Sequence, residues 1–195
     1  LSAENLTWNP DFIFRKNITR ENRARSVLVT TKGKVLIEDN YFSSQMHGIL
    51  IEGDNKFWYE SGAVEDVVIR NNTFENIGFS KDKRYPLYAS PMFTPDQRMG
   101  EGQYHRNIEF TGNTIKTFNG HIAFCRSIED LEIENNTIEF STDYPAAKEG
   151  AAIVLEYCND VDIRGNRVRG FDAPLAITQS DDTTDVSIKK NVGLE

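Results

Sequence analysis

The chain has 195 residues, of which 38% are hydrophobic and 27% are charged, so it is long enough for one sizeable core and unlike a disordered segment. Lysine and arginine number 22 against 30 acidic residues, and the net charge of −8 makes nucleic acid an unfavourable partner. Two cysteines cannot form a disulfide framework, and no apolar run reaches the roughly 18 residues of a membrane span, so we expect no membrane insertion.

A short phrase recurs along the chain: two apolar residues separated by one position, an asparagine three positions later, and another apolar residue two positions after it. The first copy, Phe12-x-Phe14-x-x-Asn17, is degenerate, and the second reads Val35-x-Ile37-x-x-Asn40-x-Phe42. The asparagines of all the copies are Asn17, Asn40, Asn72, Asn113, Asn136, Asn166 and Asn191. Their spacings of 23, 32, 41, 23, 30 and 25 residues predict a repeat of constant core length with variable loops.

Each copy is typical of a strand followed by a corner. The two apolar residues at period two place their side chains on one face of a strand, whereas the asparagine at an odd step interrupts that alternation. Asparagine suits a turn there, because it tolerates left-handed dihedrals and its amide can bond the backbone or another amide. Stacked repeats would therefore carry a ladder of asparagine amides.

A second apolar strand is predicted after each corner, so one repeat consists of strand, asparagine turn, strand and loop. These second strands are Val27–Val29, Ile49–Ile51, Ile122–Phe124, Ile153–Leu155 and Leu175–Ile177. A unit of this size cannot bury its apolar face alone, so the repeats must stack. The sequence therefore predicts an all-β fold, a right-handed parallel β-helix (a pectate-lyase-like solenoid) of about seven coils.

Two alternative folds fit the repeat less well. A β-sandwich also contains many short strands, but it would not place asparagine at the same step from an apolar pair in every copy. Leucine-rich repeats carry an asparagine, but their leucine-rich consensus is absent.

The range 1–195 is predicted to be a single β-helix domain that is a portion of a larger chain. A solenoid needs polar caps over its open ends, whereas the last repeat stops at Asn191 without its second strand. We therefore expect both ends of the column to be uncapped.

The longest insertions lie between Asn40 and Asn72 and between Asn72 and Asn113. Both are rich in aromatic and charged residues, and loops carry function in solenoids because the coils provide a rigid scaffold. An aromatic ring can stack on a sugar while charged groups bond its hydroxyls. The insertions therefore predict a carbohydrate site.

The strand before the first insertion directs two carboxylates towards this site. Because Ile49 and Ile51 should point inward, Glu52 and Asp54 should point outward. Glycoside hydrolysis requires a pair of carboxylates, one as acid and the other as base or nucleophile. We predict Asp54 as a catalytic residue and Glu52 as a substrate-binding residue, with a surface ion pair as the alternative.

The same insertion supplies three further candidates. Trp58 and Tyr59 are predicted to bind substrate, and Glu60 is the first choice for a catalytic acid or a hydroxyl-binding carboxylate. Arg23 and Arg25 lie one repeat earlier, where neighbouring strands are about 4.8 Å apart. They are also predicted to bind substrate, with an arginine beside Asp54.

No metal site and no cofactor are predicted. The histidines His47, His105 and His121 have no metal-binding spacing, and the chain has no CxxC or HExxH motif. His121 opens a strand and is predicted to be a surface or turn residue. The two cysteines, Cys125 and Cys158, are predicted to be buried free thiols.

The run Trp58-Tyr59-Glu60-Ser61-Gly62, together with the stretches 22–31 and 48–54, resembles the exo-α-1,3-galactosidases of glycoside hydrolase family 110. The resemblance extends through the repeats over most of the chain. It implies a metal-independent, inverting exo-hydrolase on a β-helix that removes terminal α-1,3-linked galactose, including the blood-group B determinant.

The resemblance also implies an adjacent catalytic Asp-Asp pair in an Asp-Asp-Ala-Val motif of an upstream coil. That motif is missing here, and Asp181-Asp182 lacks its flanking residues and is predicted to be a solvated turn. The chain would then be the C-terminal part of a bacterial enzyme, incomplete by itself.

The partner implied by the resemblance is a galactose-terminated oligosaccharide or glycan. The implied location is periplasmic or extracellular, with no signal peptide in this sequence. A polysaccharide lyase, with the basic residues of 81–84 facing a uronate, and a non-catalytic carbohydrate-binding β-helix stay open as alternatives.

Overall fold

A computed structural model describes residues 4–54, 57–58, 62–80, 83–92, 102–146 and 150–195. It contains a short 3-10 helix, Leu6–Trp8, and strands numbered β1 to β19 in chain order, which form three sheets. Sheet A consists of β1 (Phe12–Arg15), β4 (Val35–Glu38), β7 (Val67–Arg70), β10 (His105–Thr111), β13 (Ile128–Glu134), β16 (Asn159–Arg164) and β19 (Thr184–Lys189). Sheet B consists of β2 (Ile18–Asn22), β5 (Tyr41–Ser44), β8 (Thr73–Glu75), β11 (Thr114–Thr117), β14 (Thr137–Phe140) and β17 (Arg167–Arg169). Sheet C consists of β3 (Val27–Val29), β6 (Ile49–Ile51), β9 (Leu87–Ala89), β12 (Ala123–Arg126), β15 (Ile153–Glu156) and β18 (Ile177–Gln179).

The chain passes through sheets A, B and C in turn, and each strand pairs in parallel with its counterpart in the next coil. The predicted parallel β-helix is therefore confirmed. The predicted number of strands per repeat is wrong, because a coil has three strands and not two. The B strands were missed because they are short and follow the asparagine at once; in β5 the one buried apolar residue is Phe42.

The asparagine corners form the predicted ladder. Asn113 Oδ1 accepts hydrogen bonds from the backbone N and from Nδ2 of Asn72, at 2.9 and 3.1 Å. Nδ2 of Asn113 donates to Ile69 O and to Oδ1 of Asn136, at 3.0 and 3.1 Å. The same pattern repeats through Asn17, Asn40, Asn72, Asn113, Asn136, Asn166 and Asn191.

The left-handed backbone at each corner belongs to the residue before the asparagine. These residues have φ between 54° and 68° and are Lys16, Asp39, Asn71, Gly112, Asn135, Gly165 and Lys190. The asparagines themselves are thus free to point their amides along the column, where they satisfy backbone groups that the corner leaves unpaired.

The core runs the length of the column and is built from the inward residues of all three sheets. One row is aromatic: the ring of Phe42 lies 5.2 Å from Phe74, and Phe74 lies 5.6 Å from Phe110. Cys125 and Cys158 are buried and free, as predicted, and burial raises the pKa of the Cys158 thiol to about 11. No helix in the described ranges has the length and apolarity to cross a membrane.

The first and last coils are more exposed than the coils between them. On the inward rows, Phe12 of the first coil is 36% exposed and Ile188 of the last coil is 44% exposed. In the middle coils the residues that occupy the corresponding inward rows are buried.

Candidate functional site

The outward face of sheet C carries a column of apolar and aromatic side chains, one from each coil. The register aligns Leu28, Leu50, Tyr88, Phe124 and Val154 in this order. The rings of Tyr88 and Phe124 are nearly parallel, with centroids 4.8 Å apart and an interplanar angle of 10°. Both rings are partly exposed. We name Tyr88 and Phe124 the aromatic platform.

Charged side chains stand beside the platform, at the next outward positions of β12 and β15 and just after β6. Arg126 Nε donates to Oε2 of Glu156 at 2.6 Å, and the Arg126 guanidinium lies 5.4 Å from the centre of the Phe124 ring. Burial raises the pKa of the Tyr88 hydroxyl, and the carboxylates of Glu52 and Glu156 act in the same direction. These groups therefore form one polar border along the platform.

Long loops flank sheet C on its C-terminal side, where the C strands lead into sheet A. The segment 52–66 follows β6 and the segment 90–104 follows β9 in the next coil. They are joined by a backbone bond from Met92 N to Gly53 O of 2.9 Å. The ring of Tyr104 covers Gly53 so closely that a Cβ there would come within 2.4 Å of it.

Other long loops flank the N-terminal side, where the chain enters sheet C from sheet B. The segment 76–86 precedes β9 and the segment 141–152 precedes β15. Asn76 Nδ2 donates to Asp143 Oδ2 at 2.8 Å, and the rings of Phe79 and Tyr144 stack at 5.5 Å. The described parts of these loops therefore border sheet C along both sides.

Two histidines hold the end of segment 76–86 against the sheet. His47 Nδ1 accepts a hydrogen bond from Tyr85 N at 3.2 Å, and the His47 ring lies 4.2 Å from Tyr88. His121 Nδ1 lies 2.9 Å from Arg84 O, to which it donates, and its ring stacks on Tyr85 at 4.5 Å. His121 lies just before β12 and is buried, so the predicted surface position is wrong.

Asp54 does not point into solvent, so the predicted orientation is wrong. Its side chain is 2% exposed, and its two oxygens accept hydrogen bonds from Phe57 N and Trp58 N at 2.7 and 2.9 Å. Strict alternation fails because β6 ends at Ile51 and the chain turns into the loop. Asp54 thus fixes the backbone that presents Trp58, and a catalytic role for it stays a prediction.

The other residues of the first insertion are placed unequally. Trp58 is 73% exposed and lies next to Asp54 in the loop, so the structure brings these two candidates together. Glu52 lies on the outward face of sheet C, at the polar border of the platform. Tyr59 and Glu60 lie outside the described residues, and their roles stay predictions.

Arg23 and Arg25 do not lie beside Asp54, which corrects the prediction. The register pairs Val27 with Ile49, so Arg25, which precedes Val27 by two residues, lies on the N-terminal side of sheet C. Asp54 instead lies three residues past the C-terminal end of β6. A strand rises about 3.3 Å per residue, so Arg25 and Asp54 are separated by the length of the strand and its flanking residues.

Tyr88, Phe124, Arg126 and Glu156 were not among the predicted site residues. The predicted second strands 122–124 and 153–155 contain two of the outward positions, but the alignment of Tyr88 with Phe124 depends on a register across a long insertion. In the predicted strand Ile122–Phe124 the alternation would have grouped Phe124 with Ile122 on the inward face. The observed register places Ala123 and Cys125 inward and Phe124 outward, and the stacking identifies its partner. Within the described ranges no three histidine, cysteine or acidic side chains are arranged to hold a metal ion.

Similar proteins agree with this architecture. The chain matches the family described as "Right handed beta helix region" over residues 5–192. It is 40% identical to alpha-1,3-galactosidase B of Bacteroides thetaiotaomicron over 96% of the chain, which corresponds to 31% of that protein. It is 33% identical to alpha-1,3-galactosidase A of Shewanella woodyi and 36% identical to alpha-1,3-galactosidase B of Akkermansia muciniphila, each over 86% of the chain.

The resemblance to α-1,3-galactosidases is therefore confirmed by several relatives. The chain spans 31%, 27% and 21% of the length of the three proteins named above. The match over residues 5–192 covers nearly every coil, and it also agrees with the predicted right hand of the column. The chain belongs to the right-handed β-helix family.

Proposed function

We propose that this chain is part of a glycoside hydrolase that removes terminal α-1,3-linked galactose, and that the outward face of sheet C contributes to its substrate-binding surface. The similarity to proteins named alpha-1,3-galactosidase over 86–96% of the chain supports the reaction. The aromatic platform is the single structural observation that supports the position of the site.

The platform and its border suit a neutral sugar. A pyranose ring presents C–H groups that pack on apolar and aromatic surface, while its hydroxyls need polar partners at the rim. Tyr88 and Phe124 would supply the first, and Glu52, Arg126 and Glu156 the second. The Arg126–Glu156 pair stands beside the platform, with the Arg126 guanidinium over the Phe124 ring, so a hydroxyl of a bound sugar would meet both an acceptor and a donor.

This chain is proposed to supply only one of the two catalytic carboxylates. An inverting hydrolase holds an acid and a base roughly 6.5–9.5 Å apart, with a water between the base and the sugar. Glu60 is proposed as one of the two, and the other would come from a coil of the longer polypeptide. In that polypeptide Glu60→Gln should lower kcat by roughly a hundredfold or more, and an unchanged kcat/KM would remove Glu60 from the mechanism.

The proposed reaction is tested by incubating the longer polypeptide with galactose-α-1,3-galactose and following the anomers by NMR. We expect β-galactose as the first product, because a single displacement inverts the α linkage. An α-galactose product would contradict the inverting mechanism. An unsaturated sugar from a uronate polymer would instead favour a lyase.

The role of the platform is tested by Tyr88→Leu and Phe124→Leu. Leucine keeps apolar volume but removes the ring face, so we expect each variant to weaken binding of the disaccharide by roughly tenfold, measured by calorimetry. Phe140→Leu, an aromatic residue on sheet B that packs on Phe171, is the matched control and should bind normally. If all three variants bound the disaccharide as tightly as the parent chain, the sugar would bind elsewhere.

A galactose-terminated oligosaccharide or glycan is the proposed partner, and a periplasmic or extracellular location of a bacterial cell is proposed for the protein. Such a substrate lies outside the cytoplasm, so the longer polypeptide should fractionate with the periplasm or the culture medium. Recovery with cytoplasmic marker enzymes would contradict this location.

A further inference from the structure

Arg84 carries a partly buried guanidinium at the N-terminal side of sheet C. Its Nη1 lies 3.2 Å from His47 Nε2, and its Nε is buried without a hydrogen-bond partner. Burial, followed by the charge of Arg84, lowers the pKa of His47 to about 3, so this imidazole is neutral at ordinary pH. A neutral ring cannot balance the guanidinium charge.

No carboxylate of the described residues forms an ion pair with Arg84. Arg126, on the same face of sheet C, is by contrast paired with Glu156. A guanidinium that is partly removed from water without a counter-charge is costly. Its cost would be offset by an anion that binds there.

The fold holds the Arg84 side chain in place. Gly78 has a φ of +84°, and a Cβ at that position would lie 2.6 Å from Arg84 Cβ, so only glycine allows this close packing. On the other side His121 holds the Arg84 carbonyl. A pre-positioned guanidinium loses little conformational entropy when it binds a ligand.

Further basic residues stand on this side of the sheet. Arg23 and Arg25 lie in the segment that leads into β3, and exposed Lys83 precedes Arg84. None of these three forms an ion pair with another described residue. On a chain with a net charge of −8, these side chains add positive charge to this side of sheet C, which also carries Asp143.

We propose that Arg84 binds an anionic substituent, a sulfate ester or a carboxylate, on a glycan that lies on the aromatic platform. This inference rests on the proposed function for the sugar that occupies the platform. The His47 ring contacts Tyr88 and also Arg84, so a single imidazole separates the guanidinium from the platform. The remaining Nη hydrogens of Arg84 can bind two oxygens of one anion at once.

The test compares three disaccharides that share a terminal α-1,3-galactose: a neutral one, one with a sulfated second sugar, and one whose second sugar is a uronate. Binding to the 195-residue chain is measured by calorimetry at low and at high NaCl concentration. We expect at least one acidic disaccharide to bind roughly tenfold more tightly than the neutral one, with a smaller difference at high salt. The acidic arm that gains affinity identifies the anion.

Two variants and a control assign this gain to one side chain. Arg84→Gln should abolish the preference for the acidic ligand and leave the affinity for the neutral ligand unchanged, and Arg84→Lys should retain part of the preference. Arg167→Gln, an exposed arginine on sheet B, should behave like the parent chain. Circular dichroism of each variant verifies that the fold is intact.

The outcomes separate this inference from the proposed function. If the neutral disaccharide binds and neither acidic one gains affinity, or if Arg84→Gln keeps the gain, the inference is wrong and the proposed function stands. If an acidic disaccharide binds through Arg84 while the longer polypeptide releases no galactose, the anion site stands and the proposed reaction is wrong.

Discussion

Replacing Asn113 with alanine is expected to lower the free energy of unfolding by about 3–5 kcal/mol, one of the largest effects of any single substitution in this chain. The side chain is 1% exposed and makes four hydrogen bonds, two as acceptor and two as donor. Alanine would remove the partner of the backbone N of Asn72 and the amide donor to the carbonyl of Ile69, and Nδ2 of Asn72 would keep only its bond to Ile37 O. Each such group costs about 1–3 kcal/mol.

Urea unfolding followed by circular dichroism measures this loss, and two further variants interpret it. Asn113→Asp should also destabilise the column, because a carboxylate accepts hydrogen bonds but cannot donate to Ile69 O. Asn17→Ala is the matched control, because Asn17 begins the ladder and no preceding asparagine donates to it. We expect a loss below that of Asn113→Ala. If both variants lost the same free energy of unfolding, the hydrogen bonds between stacked asparagines would add no stability beyond that of a single corner.

Acidification is expected to destabilise the fold between pH 6.5 and about pH 3, because two buried histidines are neutral in the folded state. Burial lowers the pKa of His105 to about 3, and burial together with Arg84 lowers that of His47 to about 3. The unfolded chain binds both protons near pH 6.5, so it takes up more protons than the folded chain throughout this range. Stability is therefore fully present above pH 6.5 and is lost as the pH falls.

The expected slope is about 1.4 kcal/mol per pH unit for each histidine in the middle of this range. Among the described residues, the groups around His47 are Arg84, His121, Tyr85 and Tyr88, and none of these four is a carboxylate that could stabilise the protonated ring. His105 Nδ1 accepts a hydrogen bond from Val64 N, and its neighbour in the chain, Tyr104, packs on it edge to face.

The variants His47→Asn and His105→Asn test whether these two imidazoles cause the pH dependence. The Oδ1 atom of each asparagine can still accept the hydrogen bond from Tyr85 N or Val64 N. Denaturant unfolding at several pH values should give a shallower pH dependence for each variant, by about one proton. The carboxylates of the chain titrate equally in parent and variants, so the difference isolates the histidine. An unchanged slope would show that the imidazole is protonated in the folded state.

The sequence by itself determined the repeat and its stacking. Seven asparagines at a fixed step from an apolar pair are enough to predict parallel coils, because the pattern of a strand face and its corner is local and repeats in every coil. The burial of Cys125 and Cys158 followed from the usual preference of free cysteine for the interior. The resemblance of the 58–62 run predicted the related enzymes that the comparison with known proteins then found.

Only the tertiary structure decided which side chains meet on the surface. Tyr88 and Phe124 stack because β9 and β12 pair in one register. This register could not be predicted from the sequence, because long loops separate the two strands. Asp54 was predicted to point outward, but it is a buried hydrogen-bond acceptor, because β6 ends before it and backbone amides of the loop donate to its carboxylate. Local alternation fixes a face only while a strand continues. Where a strand stops, the bonds between distant loops and coils set the direction of each side chain.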